Sequence, residues 1–133
     1  MTLIRNKKIW TAAFYLWLAG IYILTSMTFS DAVKEQNDSG FRFDYLQHFL
    51  LYAIIPVLYF FAEGAGLKKL FKDNYYLILL GLLFAILTEI QQYYIPGRSF
   101  NPLDLGLNVA GFVCGIFLGR FLYRKLASND SSS

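Results

Sequence analysis

Apolar residues fill this chain in four long blocks, and polar residues interrupt it at three places. No residue from Ile9 to Ser30 carries a charge, and Arg5, Lys7 and Lys8 stand just ahead of that block. Tyr45 to Ala62 is uncharged apart from His48, Asn74 to Pro96 carries only Glu89, and Leu105 to Gly119 carries no charge. The last block extends through Arg120 and Phe121 to Tyr123 when the arginine stretches its head toward the lipid surface. A helix needs about twenty mostly apolar residues to cross the hydrocarbon of a bilayer. The pattern therefore predicts an all-α membrane protein with four transmembrane helices, at 9–29, 45–63, 75–95 and 103–124. Residues 1–127 read as a single domain and 128–133 as a disordered polar tail. A soluble four-helix bundle would show a polar face at a period of 3.6, and Ile9 to Met27 shows none. The same stretch is too long for the apolar core of a cleaved signal peptide, and no small-residue cleavage site follows it.

Composition agrees with the pattern. Of 133 residues, 56% are hydrophobic, 19% aromatic and 16% charged, too apolar a balance for a soluble domain of this size, and the single cysteine excludes a disulfide scaffold. A net charge of +3 would point to nucleic acid if the basic residues shared one surface. They cluster by loop instead. Arg5, Lys7, Lys8, Lys68, Lys69, Lys72, Arg120, Arg124 and Lys125 fall on one side of the predicted membrane, and only Lys34, Arg42 and Arg98 on the other. Basic residues stay inside, so both termini are predicted to be cytoplasmic, and no nucleic acid is needed as a partner.

The polar residues within the apolar blocks carry the chemistry. Asp44, His48 and Tyr52 are spaced i, i+4, i+8 on the second helix; Glu89, Gln92 and Tyr93 are spaced i, i+3, i+4 on the third; Asp104 and Asn108 are spaced i, i+4 on the fourth. Arg98 lies in the turn between the last two. At 1.5 Å of rise per residue, these groups fall in one layer near the extracytoplasmic face, while the inner halves of the helices are almost wholly apolar. A carboxylate at the depth of Glu89 costs at least about 3 kcal/mol, which makes it functional by default, and its expected partners are His48, Arg98 and Gln92. Asp44 and Asp104 stand where carboxylates also cap helix N-termini. Gly111, Gly115 and Gly119 continue the polar stripe of the fourth helix and predict a close helix–helix contact. Cys114 reads as a small apolar filler.

The ordered set Asp44-x3-His48-x3-Tyr52, Glu89-x2-Gln92, Pro96-Gly97-Arg98 and Asp104-x3-Asn108-x2-Gly111-x3-Gly115 resembles the VanZ-like membrane proteins over residues 44–119. The pattern of that family has a lysine after the first aspartate, where this chain has Tyr45. The resemblance implies a small multi-pass protein of the bacterial cytoplasmic membrane, part of the cell envelope, with a link to glycopeptide (teicoplanin) tolerance and antibiotic resistance.

Three functions fit such a layer. The first is an intramembrane enzyme, a lipid head-group transferase or phosphoesterase, acting on a phospholipid or a lipid-linked cell-wall precursor in the outer leaflet. His48 would serve as base or nucleophile, with Glu89, Asp44 and Asp104 as the catalytic carboxylates. Arg98, Gln92, Asn108, Tyr52 and Tyr93 would bind the substrate, the guanidinium holding phosphate bidentately. Asp44, His48, Glu89 and Asp104 would also suit a hard divalent cation, although no short ligand motif demands one. The second is a non-catalytic protein that binds or shields a lipid or an antibiotic. The third is a transporter, disfavoured because the polar layer occupies one leaflet and transport sites lie near the midplane. A monomer or a small homo-oligomer would satisfy the pattern.

Overall fold

A computed structural model describes residues 6–26, 43–63, 72, 75–96 and 100–130, with the side chains of 43, 44, 77, 129 and 130 outside that description. The fold is all-helical over these residues, with α1 at Lys7–Ser26, α2 at Phe43–Glu63, α3 at Tyr75–Tyr93 and α4 at Pro102–Asp130. Helices α1, α2 and α4 are long and apolar enough to cross a membrane; the apolar stretch of α3, Ile78–Tyr93, is shorter than that. The expected ends hold to within a few residues where they can be seen, and residues 27–29 lie outside the description. At the C-terminus the helix outlasts the prediction. It runs on to Asp130 and takes in Ser128 to Asp130, which composition assigns to a disordered tail; positions 131–133 lie outside the description. Basic and small polar residues are tolerated on a solvated helix end, and Ser128 returns its hydroxyl hydrogen to the Lys125 carbonyl at 2.8 Å.

Successive helices run in opposite directions, so α1 and α3 point toward one end of the bundle and α2 and α4 away from it. At one end Lys7 Nζ donates to the Glu63 carbonyl at 3.2 Å, joining the start of α1 to the end of α2. At the other, the Gln91 amide donates to the Ser26 hydroxyl, joining the ends of α3 and α1. Trp17 Nε1 donates to the Leu51 carbonyl at 2.9 Å between them. Thr11 and Thr25 return their hydroxyls to carbonyls of α1 itself, and Ser26 does so while accepting from Gln91.

The main seam lies between α2 and α4, and glycine makes it. A Cβ on Gly111 would collide with the Phe49 carbonyl, one on Gly115 would sit 2.9 Å from Ala53 Cα, and one on Gly119 would sit 2.8 Å from Val57 Cα. Gly111, Gly115 and Gly119 thus meet Phe49, Ala53 and Val57 in step, backbone against backbone, along two parallel helices. The predicted stripe is a true interface, with α2 as its partner. A fourth glycine, Gly81 of α3, makes room for the Phe112 ring. Around that ring the core gathers Ile21, Tyr52, Ile55, Tyr59, Phe60, Ala85 and Ile116. Large apolar side chains such as Leu16, Leu79 and Phe117 face outward, as they would in lipid. Cys114 is among the outward-facing residues rather than in the core, because it lies one position from Gly115 and α4 turns it away from α2.

Candidate functional site

The start of α4 organises the site. Asn101 is its N-cap: Oδ1 accepts the Leu103 N–H at 3.1 Å, Pro102 occupies the first helical position, and the Asn101 carbonyl accepts the Leu105 N–H at 3.2 Å. A helix start of this kind often has an acidic residue in its own first turn reaching back to the N–H of the cap. Here that N–H, from Asn101, donates instead to Glu89 Oε1 at 2.9 Å, across from α3. Asp104, the acidic residue of the first turn, faces α2. Its carboxylate is well placed against the positive end of the helix dipole.

His48 of α2 meets two residues of α4. Nδ1 lies 3.0 Å from Asn108 Oδ1, and Nε2 lies 4.0 Å from Asp104 Oδ2. An amide oxygen can only accept, so this pairing has the ring donating through Nδ1, with Nε2 turned toward Asp104. The i, i+4 spacing of Asp104 and Asn108 is what lets one helix hold both edges of one imidazole. All three side chains are buried, Asn108 completely.

On α3 the buried stripe is Gly81, Ala85, Thr88, Glu89 and Gln92, with Glu89 at 0% exposure. The Thr88 hydroxyl pairs with the Tyr52 hydroxyl of α2 and also reaches the Phe84 and Ala85 carbonyls of its own helix. Thr88 is a site-layer residue that the spacing argument passed over; its position one residue before Glu89 was the available signal. Tyr93 stands apart. It is 65% exposed and packs edge-on against Tyr94, because at 100° per residue it falls about 80° round the helix from Ala85, past the buried arc. Among the described residues, neither Gln92 Nε2 nor Asn108 Nδ2 has a hydrogen-bond partner, which leaves two buried amide donors in this layer.

The structure therefore brings together His48, Asp104 and Asn108, and joins Glu89 to the cap of α4 and Tyr52 to Thr88. Arg98 and the side chain of Asp44 lie outside the described residues. Among the described residues no three His, Cys, Asp or Glu side chains gather as a metal-ligand set.

A family model described as VanZ/LLP1 matches residues 12–123. No curated protein and no solved structure gives a match. The family match covers most of the chain, and the chain belongs to the VanZ-like family. Membership suggests a membrane protein linked to glycopeptide resistance.

Proposed function

We propose that this VanZ-like protein is an intramembrane enzyme acting on the phosphate-bearing head group of a phospholipid or lipid-linked cell-wall precursor, in the outer leaflet of the bacterial cytoplasmic membrane. The observation that carries the reading is the imidazole of His48 held through Nδ1 by Asn108, with Nε2 turned toward the Asp104 carboxylate. Such a ring suits general base catalysis. Nε2 takes the proton of an attacking hydroxyl, from water or an acceptor alcohol, as its oxygen bonds to phosphorus. The same proton then passes to the oxygen of the departing lipid or head group. Asp104 stabilises the imidazolium formed between those steps. The buried amide donors of Gln92 and Asn108 suit phosphate oxygens, and Arg98, which stands in the sequence between α3 and α4, would supply the planar cationic fork. Glu89 acts through the cap of α4, as a positioning residue.

The reading includes four spans with both termini in the cytoplasm. Helix α3, with its 19 residues, is about 28 Å long, close to the thickness of the hydrocarbon. A reporter fused after Ser133 should behave as cytoplasmic and one inserted near Asn37 as extracytoplasmic; the reverse would move the site to the inner leaflet.

The deciding experiment reconstitutes the full chain with radiolabelled polyprenyl phosphate, polyprenyl diphosphate and phospholipids, and follows release or exchange of the label. Turnover should be lost in His48→Ala and Asp104→Asn while both variants still insert. Saturable binding of the same lipids with no product in the wild type would replace the enzyme with a binding or shielding protein.

A further inference from the structure

The opposite end of α4 carries a second feature. Phe117, Arg120, Phe121, Arg124, Lys125 and Ser128 line one shallow groove. At 100° per residue these positions cluster on one side of α4, about 150° round from the glycine stripe that packs on α2. The groove therefore faces away from the bundle. Phe117 and Phe121 are 64% and 61% exposed, and Arg124 and Lys125 are exposed as well. Among the described residues, no carboxylate forms an ion pair with Arg120, Arg124 or Lys125.

Depth assigns a level to each part. Asp104 to Arg124 spans about 30 Å along the helix, the thickness of the hydrocarbon. With Asp104 at one surface, Arg124 and Lys125 emerge at the other, and Arg120 lies about 6 Å deeper, within reach of that surface by extending its side chain. Phe117 then lies about 4 Å deeper than Arg120 and Phe121 about 4 Å deeper than Arg124, so both rings sit at acyl-chain level below the guanidinium heads once Arg120 extends. Two aromatic rings under a cationic fork match an amphiphile with apolar tails and an anionic head.

We infer that this outward face of α4 is a binding site for an anionic glycerophospholipid of the inner leaflet, its phosphodiester held by Arg120, Arg124 and Lys125 and its acyl chains lying along Phe117 and Phe121. The inference needs α4 to span the membrane with its C-terminus in the cytoplasm, the orientation proposed above, and is independent of what the outer polar layer does. The site anchors the C-terminal end of the helix that carries Asp104 and Asn108, and so holds that helix at a fixed depth.

Native mass spectrometry of the detergent-solubilised full chain, with phosphatidylglycerol and phosphatidylcholine of matched chains added, tests this. The wild type should retain phosphatidylglycerol about tenfold or more over phosphatidylcholine, from the attraction of three basic groups to one anionic head. R120Q/R124Q should retain the two lipids equally, and R120K/R124K, which keeps the charge, should still prefer phosphatidylglycerol. Inorganic phosphate at millimolar level should leave the bound lipid in place. Equal retention of the two lipids by the wild type would overturn the proposal, as would undiminished preference in R120Q/R124Q. Displacement of the lipid by inorganic phosphate would overturn it too, since the face would then read a soluble anion. Circular dichroism of each variant confirms that the helices have formed.

Discussion

The seam between α2 and α4 and the attachment of α3 are built from different physics. Along the seam, Gly111, Gly115 and Gly119 bring two backbones into contact, and dispersion over a long, close interface does the holding. Helix α3 joins the others through the Phe112 ring against Gly81 and through hydrogen bonds: Tyr52 to Thr88, Asn101 N–H to Glu89, Gln91 to Ser26. The seam tolerates no side chain at its glycines. The hydrogen bonds of α3 each turn on one polar pair, and two of them involve Tyr52 and Glu89 of the candidate layer. In lipid, where apolar surface gains nothing by leaving the solvent, close packing gives rigidity and buried hydrogen bonds give position. The molecule weights the two tasks differently on its helix pairs, with the His48–Asn108 hydrogen bond added at the outer end of the α2–α4 seam.

The seam should break most easily. Gly115→Leu places a branched side chain against the Ala53 backbone, which cannot move aside without parting the helices, and should cost at least about 3 kcal/mol. Leu118→Phe, at a residue 48% exposed, should leave stability unchanged within about 0.5 kcal/mol. Unfolding by increasing sodium dodecyl sulfate, followed by circular dichroism, reads both. Equal losses would mean that the glycine stripe is not the principal contact.

Phe112→Ala comes next. It empties the space between Gly81, Ile116 and the rest of the core and should cost about 3 kcal/mol by the same titration. Phe112 belongs to α4 but lodges on α3, so it tests whether α3 depends on packing as well as on hydrogen bonds. A negligible effect would leave the polar pairs as the sole attachment of α3.

Glu89 separates charge from position. Glu89→Ala leaves the part-buried Asn101 N–H without its carboxylate acceptor and should cost about 1–2 kcal/mol. Glu89→Gln keeps an oxygen for that N–H and should cost less than about 1 kcal/mol. If Glu89 only positions α4, Glu89→Gln should also retain most of the turnover that His48→Ala loses. Loss of turnover in Glu89→Gln, with stability retained, would move the carboxylate itself into the chemistry.

The smallest effect belongs to Thr88→Val, which removes the hydroxyl partner of Tyr52 and leaves the shape of the side chain nearly unchanged. A loss of about 1 kcal/mol is expected, with the helix content unaltered. A larger loss would show that this pair supports more of α3 than one hydrogen bond can.

Much of this was legible in order along the chain. Four apolar blocks, one of them carrying Glu89, announce four helices because a membrane demands a minimum apolar length, and length is a local property. The i, i+4 spacing of Asp104 and Asn108 predicts a shared face, and that face does hold His48. The glycine stripe announces a close contact by its spacing alone. Asn101-Pro102 before an acidic residue is a helix start legible from spacing alone. Tyr93 shows where spacing misleads. An i+4 neighbour of Glu89 lies near its face, but which side of Glu89 is buried depends on where Phe112 and Tyr52 approach from.

Helix number and the grouping of polar residues on one face follow from the sequence, because each rests on a rule about neighbours on one helix. The partner of each face does not. That Gly115 meets Ala53 and not another helix, that Glu89 completes the cap of α4, and that Asp104 turns to His48 are contacts between residues far apart in the chain. No local rule carries their distances. They were decided by the one arrangement of four helices in which the close backbone contact and the buried hydrogen bonds are satisfied together.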